Sequence, residues 1–538
     1  MGAQTKILPP LSLAVLSGIL IGCAFPPVDQ PWLAWLGLVP LLRAVVRAPN
    51  WRHAAFFGAV AGTIACLITT WPLISASTWT GWALSTPEEA ASMAGRRAWY
   101  LYGLWFCFTG LWCGGVFWGG FAAALHWVGD QRPWRLLWLA SLLWPLGVEW
   151  LRTQVAWGFH WTLLGNLAAD FPWLRQLAAL GGVWLLSALI VMANVAIYVL
   201  LFRRHAPRFW ITPAITAAVI AVAVAGGFAH VRALEDIEPQ FDVAALQLSQ
   251  DSYSQFDYTA FGMDKHYLRL TKQAYERFPG RFDMLVLPES IGFGGVSLDG
   301  TRSEALPGKP VSTIEQWMTA LTPLLPDPNS ILVFGIDTVE QGRDRNSALV
   351  MDNTGPVGWY HKRGLVPFAE YQPRLTGLVD LSGASQFHAG VDATPIAVGG
   401  LKLGLFICQE ILFPELIRES TSSGATLLVS VGNDGVFSDP AVALVHAKLA
   451  QVRATETGRY LVRSMKTGVS AIVSPSGKVL AQIPSDKVGM IVFKVAPLEH
   501  MTPYVRFGDW PLILFGLGLG VFVLRRPRDL PFGATVGR

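Results

Sequence analysis

The apolar residues of this chain are gathered into long blocks, and that clustering limits the fold more than any motif does. Eight stretches, approximately 8–24, 31–46, 54–75, 100–128, 136–151, 177–202, 209–229 and 510–524, read as membrane-crossing helices. A helix in hydrocarbon must satisfy its own backbone and rises about 1.5 Å per residue, so a crossing takes about 20 mainly apolar residues. The second, fifth and last stretches are short and also fit a re-entrant or interfacial segment. Composition agrees, at 52% hydrophobic and 14% charged residues, against about 25% charged in an ordinary soluble chain. Residues 1–234 hold 20 of the 23 tryptophans but only six carboxylates and one lysine, Lys6. The remainder reads mostly as a soluble domain.

Positive charge orients the spans, because Lys and Arg collect in cytoplasmic loops. Lys6 precedes the first span, and Arg43, Arg47 and Arg52 follow the second. Arg132 and Arg135 follow the fourth, Arg203, Arg204 and Arg208 the sixth, and Arg525, Arg526 and Arg528 the eighth. In the opposite loops, Arg96, Arg97, Arg152 and Arg175 are accompanied by Glu88, Glu89, Glu149 and Asp170. Eight spans with both termini cytoplasmic satisfy this pattern, and they put the long segment from about 230 to 508 on the periplasmic side. The expected organisation is spans one to seven in 1–230, an extramembrane catalytic domain in 231–508, and the eighth span with a cytoplasmic tail in 509–538. The first span resembles a secretory signal, but seven further spans follow it, so it is read as a retained anchor. A net charge of +4 with no long basic run gives a nucleic-acid partner no electrostatic footing.

Between 241 and 500 the periodicity changes. Short β-branched and apolar runs bounded by Gly, Pro, Asn and Asp predict strands at Phe241 to Leu248, Met284 to Leu287, Ile331 to Ile336, Ala348 to Met351, Leu403 to Ile407, Leu427 to Val431 and Val469 to Val473. Helices are predicted at Asp264 to Arg277, Ser312 to Leu325, Pro414 to Ser422 and Pro440 to Thr457. The alternation indicates a layered α/β or α+β domain. Of the five cysteines, Cys23, Cys66, Cys107 and Cys113 fall in predicted spans and only Cys408 lies in this domain, so no disulfide can form within it. A lone cysteine ending an apolar strand is usually a small buried hydrophobe. The polar Gln409-Glu410 that follows argues for a presented thiol instead. Two other strand ends have the same form: DMLVLPE ends in Glu289, and the return through Trp359 and Tyr360 ends in His361 and Lys362. A carboxylate can take a thiol proton, and an ammonium can lower a thiolate pKa and stabilise an oxyanion.

On these residues the chain resembles the nitrilase (carbon-nitrogen hydrolase) superfamily. The resemblance implies an αββα sandwich and a Glu-Lys-Cys triad, matched here by Glu289, Lys362 and Cys408. Its eight spans and the segments FPPVDQPWLAWLGLVPLL (25–42), GVEWLR (147–152), KRGLVPFAEYQP (362–373) and TPYVRFGDWP (502–511) are similar to the membrane-embedded apolipoprotein N-acyltransferase branch. The full expected class is an α-helical polytopic membrane domain of about eight transmembrane helices plus a nitrilase-like extramembrane domain. The resemblance also implies two supporting carboxylates, Glu370 in VPFAEY and Glu410 after the nucleophile. The chain departs from the family at Phe256 (usually Trp), Gln409 (usually Tyr), Val436 in GNDGVF (usually Trp), SGASQFHAG (382–390) and RSMKTGVSA (463–471), which lacks the family's paired asparagines. Phe256, Gln409 and Val436 are candidate substrate contacts.

The resemblance implies acyl transfer from a membrane phospholipid, through a cysteine thioester, to the N-terminal amine of a diacylglyceryl apolipoprotein. No metal or organic cofactor is called for, and a monomer in the bacterial inner membrane is expected. Glu149 and Arg152 are candidate headgroup ligands, or else simply pair across one helical turn. Alternatives are a membrane-bound amidase, a conjugation-associated paralogue with another acceptor, and a non-catalytic transporter or receptor. Few intramembrane charges argue against a transport path.

Overall fold

The computed structural model describes residues 8–75, 102–103, 105–128, 133–155, 159–235, 237–248, 265–277, 282–292, 295–304, 311–322, 325, 330–367, 370–371, 387–437 and 439–524. They divide between two compact units. The first is bounded by Met1–Ile74, Gly95–Phe228 and Phe507–Arg538, and the second by Ser75–Ala94 and Ala229–Arg506.

The first unit is a helical membrane domain. Four of its helices are long and apolar enough to cross a bilayer: Trp51–Ile74, Trp105–Trp127, Leu177–Phe202 and Ile211–Leu234. Pro10–Ala24, Pro31–Val46 and Trp510–Leu524 are shorter apolar helices. The stretch expected at 136–151 is assembled from Pro133–Leu143, a π-helical Trp144–Trp150, and Leu151–Val155. Pro145 lies inside the π-helical piece, and its missing N–H removes an ordinary α-helical bond there. Small residues let backbones meet. A Cβ on Gly114 would fall 2.2 Å from the Gly62 carbonyl oxygen, and one on Gly62 would fall 2.4 Å from that of Gly114, so only glycine permits this approach, as in small-residue membrane interfaces.

The second unit contains two sheets. The first holds β1 (Phe241–Gln247), β2 (Met284–Val286), β3 (Gly295–Ser297), β4 (Val311–Thr313), β5 (Ile331–Glu340), β6 (Arg343–Asp352), β7 (Gly355–His361) and β14 (Gly489–Val495). The second holds β8 (Ile396–Val398), β9 (Leu401–Ile407), β10 (Leu427–Gly432), β11 (Leu461–Met465), β12 (Ser470–Val473) and β13 (Val479–Ile483). Parallel pairing of β1, β2 and β5 forms the centre of one sheet, and parallel pairing of β9, β10 and β11 the centre of the other.

Side chains alternate across each strand, and that alternation makes the layers. Val243, Val286, Val333 and Val350 pack with Leu405, Ile407, Val429 and Val462 in one core, which joins the two sheets. Leu246, Leu285, Phe334 and Leu349 instead join Tyr267, Trp317 and Leu321 in a separate core, so helices Lys265–Arg277 and Ile314–Leu321 cover the outer face of the first sheet. Helices Pro414–Ser422 and Pro440–Thr457 cover the second. The domain is thus an αββα sandwich, the nitrilase-like arrangement expected. Full burial of each Val, Leu or Phe contributes about 1.5–3 kcal/mol relative to exposure, and both cores are nearly continuous.

The seven expected strands all occur, the last starting at Ser470 rather than Val469. The helix expected to begin at Ser312 begins at Ile314, because Thr313 and Gln316 form a reciprocal capping box there. Strand β11 was not expected: LVRSM carries the fully buried Arg463, whose charge hides the apolar pattern.

Candidate active site

Three strand ends converge in the sandwich. Strand β9 stops at Cys408, whose φ of +53° is a left-handed backbone that a side chain adopts only when its surroundings enforce it. Glu410 does the enforcing. One of its oxygens accepts the Ile407 N–H at 2.7 Å, while the other accepts Arg363 N–H at 2.7 Å, Gly364 N–H at 2.8 Å and the Tyr360 hydroxyl at 2.9 Å. It therefore ties the Cys408 turn to the end of β7. Gln409 donates to the Gly364 carbonyl at 3.1 Å, adding a second tie.

Lys362 follows β7 and is 1% exposed. Its backbone N–H bonds Asn346 O at 2.8 Å and its carbonyl accepts from Gly390 N. Its ammonium donates to Glu370 Oε1 at 2.8 Å. Glu289 follows β2, where Pro288 has no N–H to give the ladder. Leu287 N–H still bonds Val333 O, and Gly335 N–H bonds Pro288 O. The chain runs so close here that a Cβ on Gly335 would lie 2.5 Å from the Glu289 Cα. Gly335→Ala must therefore displace the Glu289 backbone. The expected result is a destabilisation of about 1–3 kcal/mol, read by denaturant melting.

Asn346 on β6 joins the two carboxylates, its amide donating to Glu289 at 2.6 Å and to Glu370 at 2.9 Å. The sequence reading missed it, although a lone Asn inside RDRNSALVM was a visible signal. It also missed a buried cluster beyond Cys408, in which Asp434 bonds His446 at 2.7 Å and Arg463 at 3.0 Å. Cys408 Sγ lies 3.9 Å from the Asn433 carbonyl oxygen, on the loop leading to that cluster.

Electrostatics follow from burial. Burial raises the Glu289 pKa, Lys362 partly opposes it and the Glu370 charge adds to it, leaving it at about 7. Lys362 is pulled down by burial, but Glu370, Cys408 and Glu289 outweigh that and raise it above its ordinary value; it stays an ammonium. Burial, reinforced by Glu289, pushes the Cys408 thiol up, and Lys362 only partly offsets this. Desolvation is thus the larger effect on the sulfur, and it favours the thiol that a carboxylate base must deprotonate. Burial also raises Glu410, though the Gly364 and Ile407 N–H groups oppose it. Asp434 resists burial and is lowered by His446 and Arg463.

The remaining expected contacts divide. Phe256 lies outside the described residues. Val436 belongs to a short 3-10 turn, Asp434–Val436. Glu149 and Arg152 are both fully buried in the membrane unit. They form no ion pair across the helical turn, because Glu149 instead accepts Trp144 Nε1–H at 3.0 Å and Leu164 N–H at 2.7 Å. The Arg152 guanidinium stands 5.6 Å from the centre of the Phe159 ring, a cation–π distance.

The carbon-nitrogen hydrolase family matches residues 242–499, and the apolipoprotein N-acyltransferase N-terminal domain matches residues 17–196. An apolipoprotein N-acyltransferase of Geobacter metallireducens is 28% identical over 535 residues, covering 96% of this chain and 95% of its own. One from Pseudomonas syringae pv. tomato is 29% identical over 384 residues, covering 67% of this chain and 70% of its own. A solved amidase of the nitrilase superfamily from Nesterenkonia aligns with 51% of this chain and 97% of its own at 19% identity, with a TM-score of 0.33. A carbon-nitrogen hydrolase match together with these N-acyltransferase relatives supports an acyltransferase enzyme. Both domain models match in order, and the likeness to the apolipoprotein N-acyltransferases runs nearly end to end.

Proposed function

We propose that this protein moves a fatty acyl chain from a membrane phospholipid, through a thioester on Cys408, to the N-terminal α-amine of an S-diacylglyceryl-cysteine apolipoprotein, the last step of lipoprotein maturation. The observation that carries the reading is the meeting of a strand-end thiol, a buried ammonium and a carboxylate poised at about 7 in one sandwich. The likeness to the apolipoprotein N-acyltransferases supplies the substrate classes, phospholipid and lipoprotein in the bacterial inner membrane.

Glu289 takes the Cys408 proton as the sulfur attacks the ester carbonyl, and Lys362 stabilises the oxyanion that forms. As the carbon–oxygen bond breaks, Glu289 gives that proton to the leaving oxygen, so the lysophospholipid departs with a hydroxyl and Glu289 is again a carboxylate. In the second half the acceptor amine attacks the thioester and gives its proton to Glu289. The carbon–sulfur bond breaks and the sulfur recovers that proton. This is ping-pong acyl transfer, balanced by groups of the chain alone. Glu370 holds Lys362, Glu410 shapes the nucleophile turn, and Gln409 and Val436 are candidate contacts for the lipid or the acceptor.

The charge pattern of the loops supports eight spans with both termini cytoplasmic. In this arrangement residues 1–230 supply seven spans, 231–508 form the catalytic domain on the periplasmic side, and 509–538 supply the eighth span and a tail. We take the working unit to be a monomer.

The test is mass spectrometry of the full chain in phospholipid vesicles, followed by addition of a synthetic diacylglyceryl-cysteine peptide. A single acyl adduct on Cys408 that disappears as N-acyl peptide accumulates is the expected result. An unmodified thiol, with ammonia released from simple amides, would overturn the reading in favour of hydrolysis.

The same assay carries a pH prediction. Glu289 acts as base only when deprotonated, so adduct formation should fall about tenfold for each pH unit below 7 and level off above it. The protonated thiol adds no further rise near its ordinary pKa. A rate unchanged from about pH 5.5 to 8 would contradict the assignment of Glu289.

A further inference from the structure

The residue after Glu289 is as constrained as the nucleophile. Ser290 has φ +54°, a left-handed conformation in which a non-glycine residue persists only if something holds it. The next N–H, that of Ile291, bonds Gly335 O at 3.1 Å. The Ser290 carbonyl itself accepts the Lys466 ammonium at 2.7 Å. Lys466 is 6% exposed and comes from the other sheet, immediately after β11. Its own N–H bonds Gly432 O at 2.8 Å, at the end of β10. From Gly432 the chain continues to Asn433, whose carbonyl faces the Cys408 sulfur, and Asp434 N–H returns to Thr467 O at 2.7 Å. One side chain thus spans from the nucleophile's sheet to the base's turn. It does so within RSMKTGVSA, the segment in which this chain departs from the paired asparagines of the family it resembles.

We infer that Lys466 is a positioning residue of this enzyme, an ammonium tether that holds Ser290 left-handed and so fixes the Glu289 carboxylate relative to the Cys408 sulfur. An amide is too short to replace a lysine that bridges two sheets, so the tether is this chain's own solution. The inference rests on the proposed roles of Glu289 and Cys408. Lys466 acts through the backbone of the base's turn, by its bond to the Ser290 carbonyl. Loss of a charge-assisted hydrogen bond releases the turn, and Ser290 relaxes to an ordinary φ.

The experiment uses the full chain in phospholipid vesicles and measures the rate of acyl-adduct formation on Cys408 across pH. Lys466→Met, which keeps most of the length and loses the charge, should slow the adduct about 30-fold. The inflection near 7 should move downward as the released Glu289 gains water. Adding Ser290→Gly to Lys466→Met should recover most of the rate, because glycine takes a positive φ without strain. A lysine that served only general stability would not be rescued by a glycine at 290.

A Lys466→Met rate and pH profile equal to wild type would overturn the tether. So would a double variant no faster than Lys466→Met. If Lys466→Met does not fold, Lys466→Arg decides: a retained bond to Ser290 O predicts a rate within about tenfold of wild type, and a larger loss overturns the inference. Absence of any adduct in the wild-type protein would instead remove the reading on which the inference stands.

Discussion

Cys408→Ser is expected to reduce acyl-adduct formation by at least about 10⁴-fold, to background. The sulfur is the one group at the site that can carry the acyl chain covalently in the proposed sequence. A serine hydroxyl holds its proton more tightly than the thiol, and Glu289, at about 7, is too weak a base to remove it from a hydroxyl in this setting. The turn itself should survive, since its left-handed backbone is held by the four groups that Glu410 accepts and not by the sulfur. The readouts are intact-mass spectrometry for the adduct and a thermal melt for the fold. Wild-type adduct yield from the serine variant would place the acyl chain elsewhere and end the assignment.

Lys362→Met should cost at least about 10³-fold in adduct formation and, unlike the cysteine change, should also destabilise the domain. Lys362 is the cation against which the Glu289 and Glu370 charges are set. Breaking a buried ion pair by removing one partner costs about 3–5 kcal/mol, because the other charge is left without compensation. Lys362 works to lower the Glu289 pKa, so its loss should carry that pKa above 7 and move the acidic limb of the rate profile upward. The direction separates this variant from Lys466→Met, whose limb should move downward. The checks are a denaturant melt and adduct rates across pH. Unchanged stability together with an unmoved limb would show that Lys362 does not hold this charge balance.

Most of the site's chemistry was legible in the chain because reactive groups at strand ends leave a simple trace: an apolar run, a breaker, then a polar residue. Glu289 after LVLP and Cys408 after LGLFI follow that rule, and Glu410 lies two residues from the cysteine it supports. Asn346 and Lys466 do not follow it. Asn346 lies inside a strand and matters because Glu289 and Glu370, from 57 residues before it and 24 after it in sequence, arrive on either side of its amide. Lys466 lies 176 residues from the carbonyl it holds. Neither distance is written in any local pattern. The balance at the thiol is likewise set by the fold: Lys362 lowers the Cys408 pKa, but burial is the larger effect and raises it.

The sequence by itself determined the two-part architecture, the alternation that builds four layers, and the identity of thiol, ammonium and carboxylate. These depend on periodicity and residue type, which act over a few positions. Tertiary structure alone decided that Glu149 turns to Trp144 and Leu164 and forms no pair with Arg152. It also decided that one asparagine serves two carboxylates and that a lysine from one sheet holds the turn of the other. Those outcomes depend on how far each charge is removed from water and on which distant backbone comes to face it, and both quantities exist only once the chain has closed on itself.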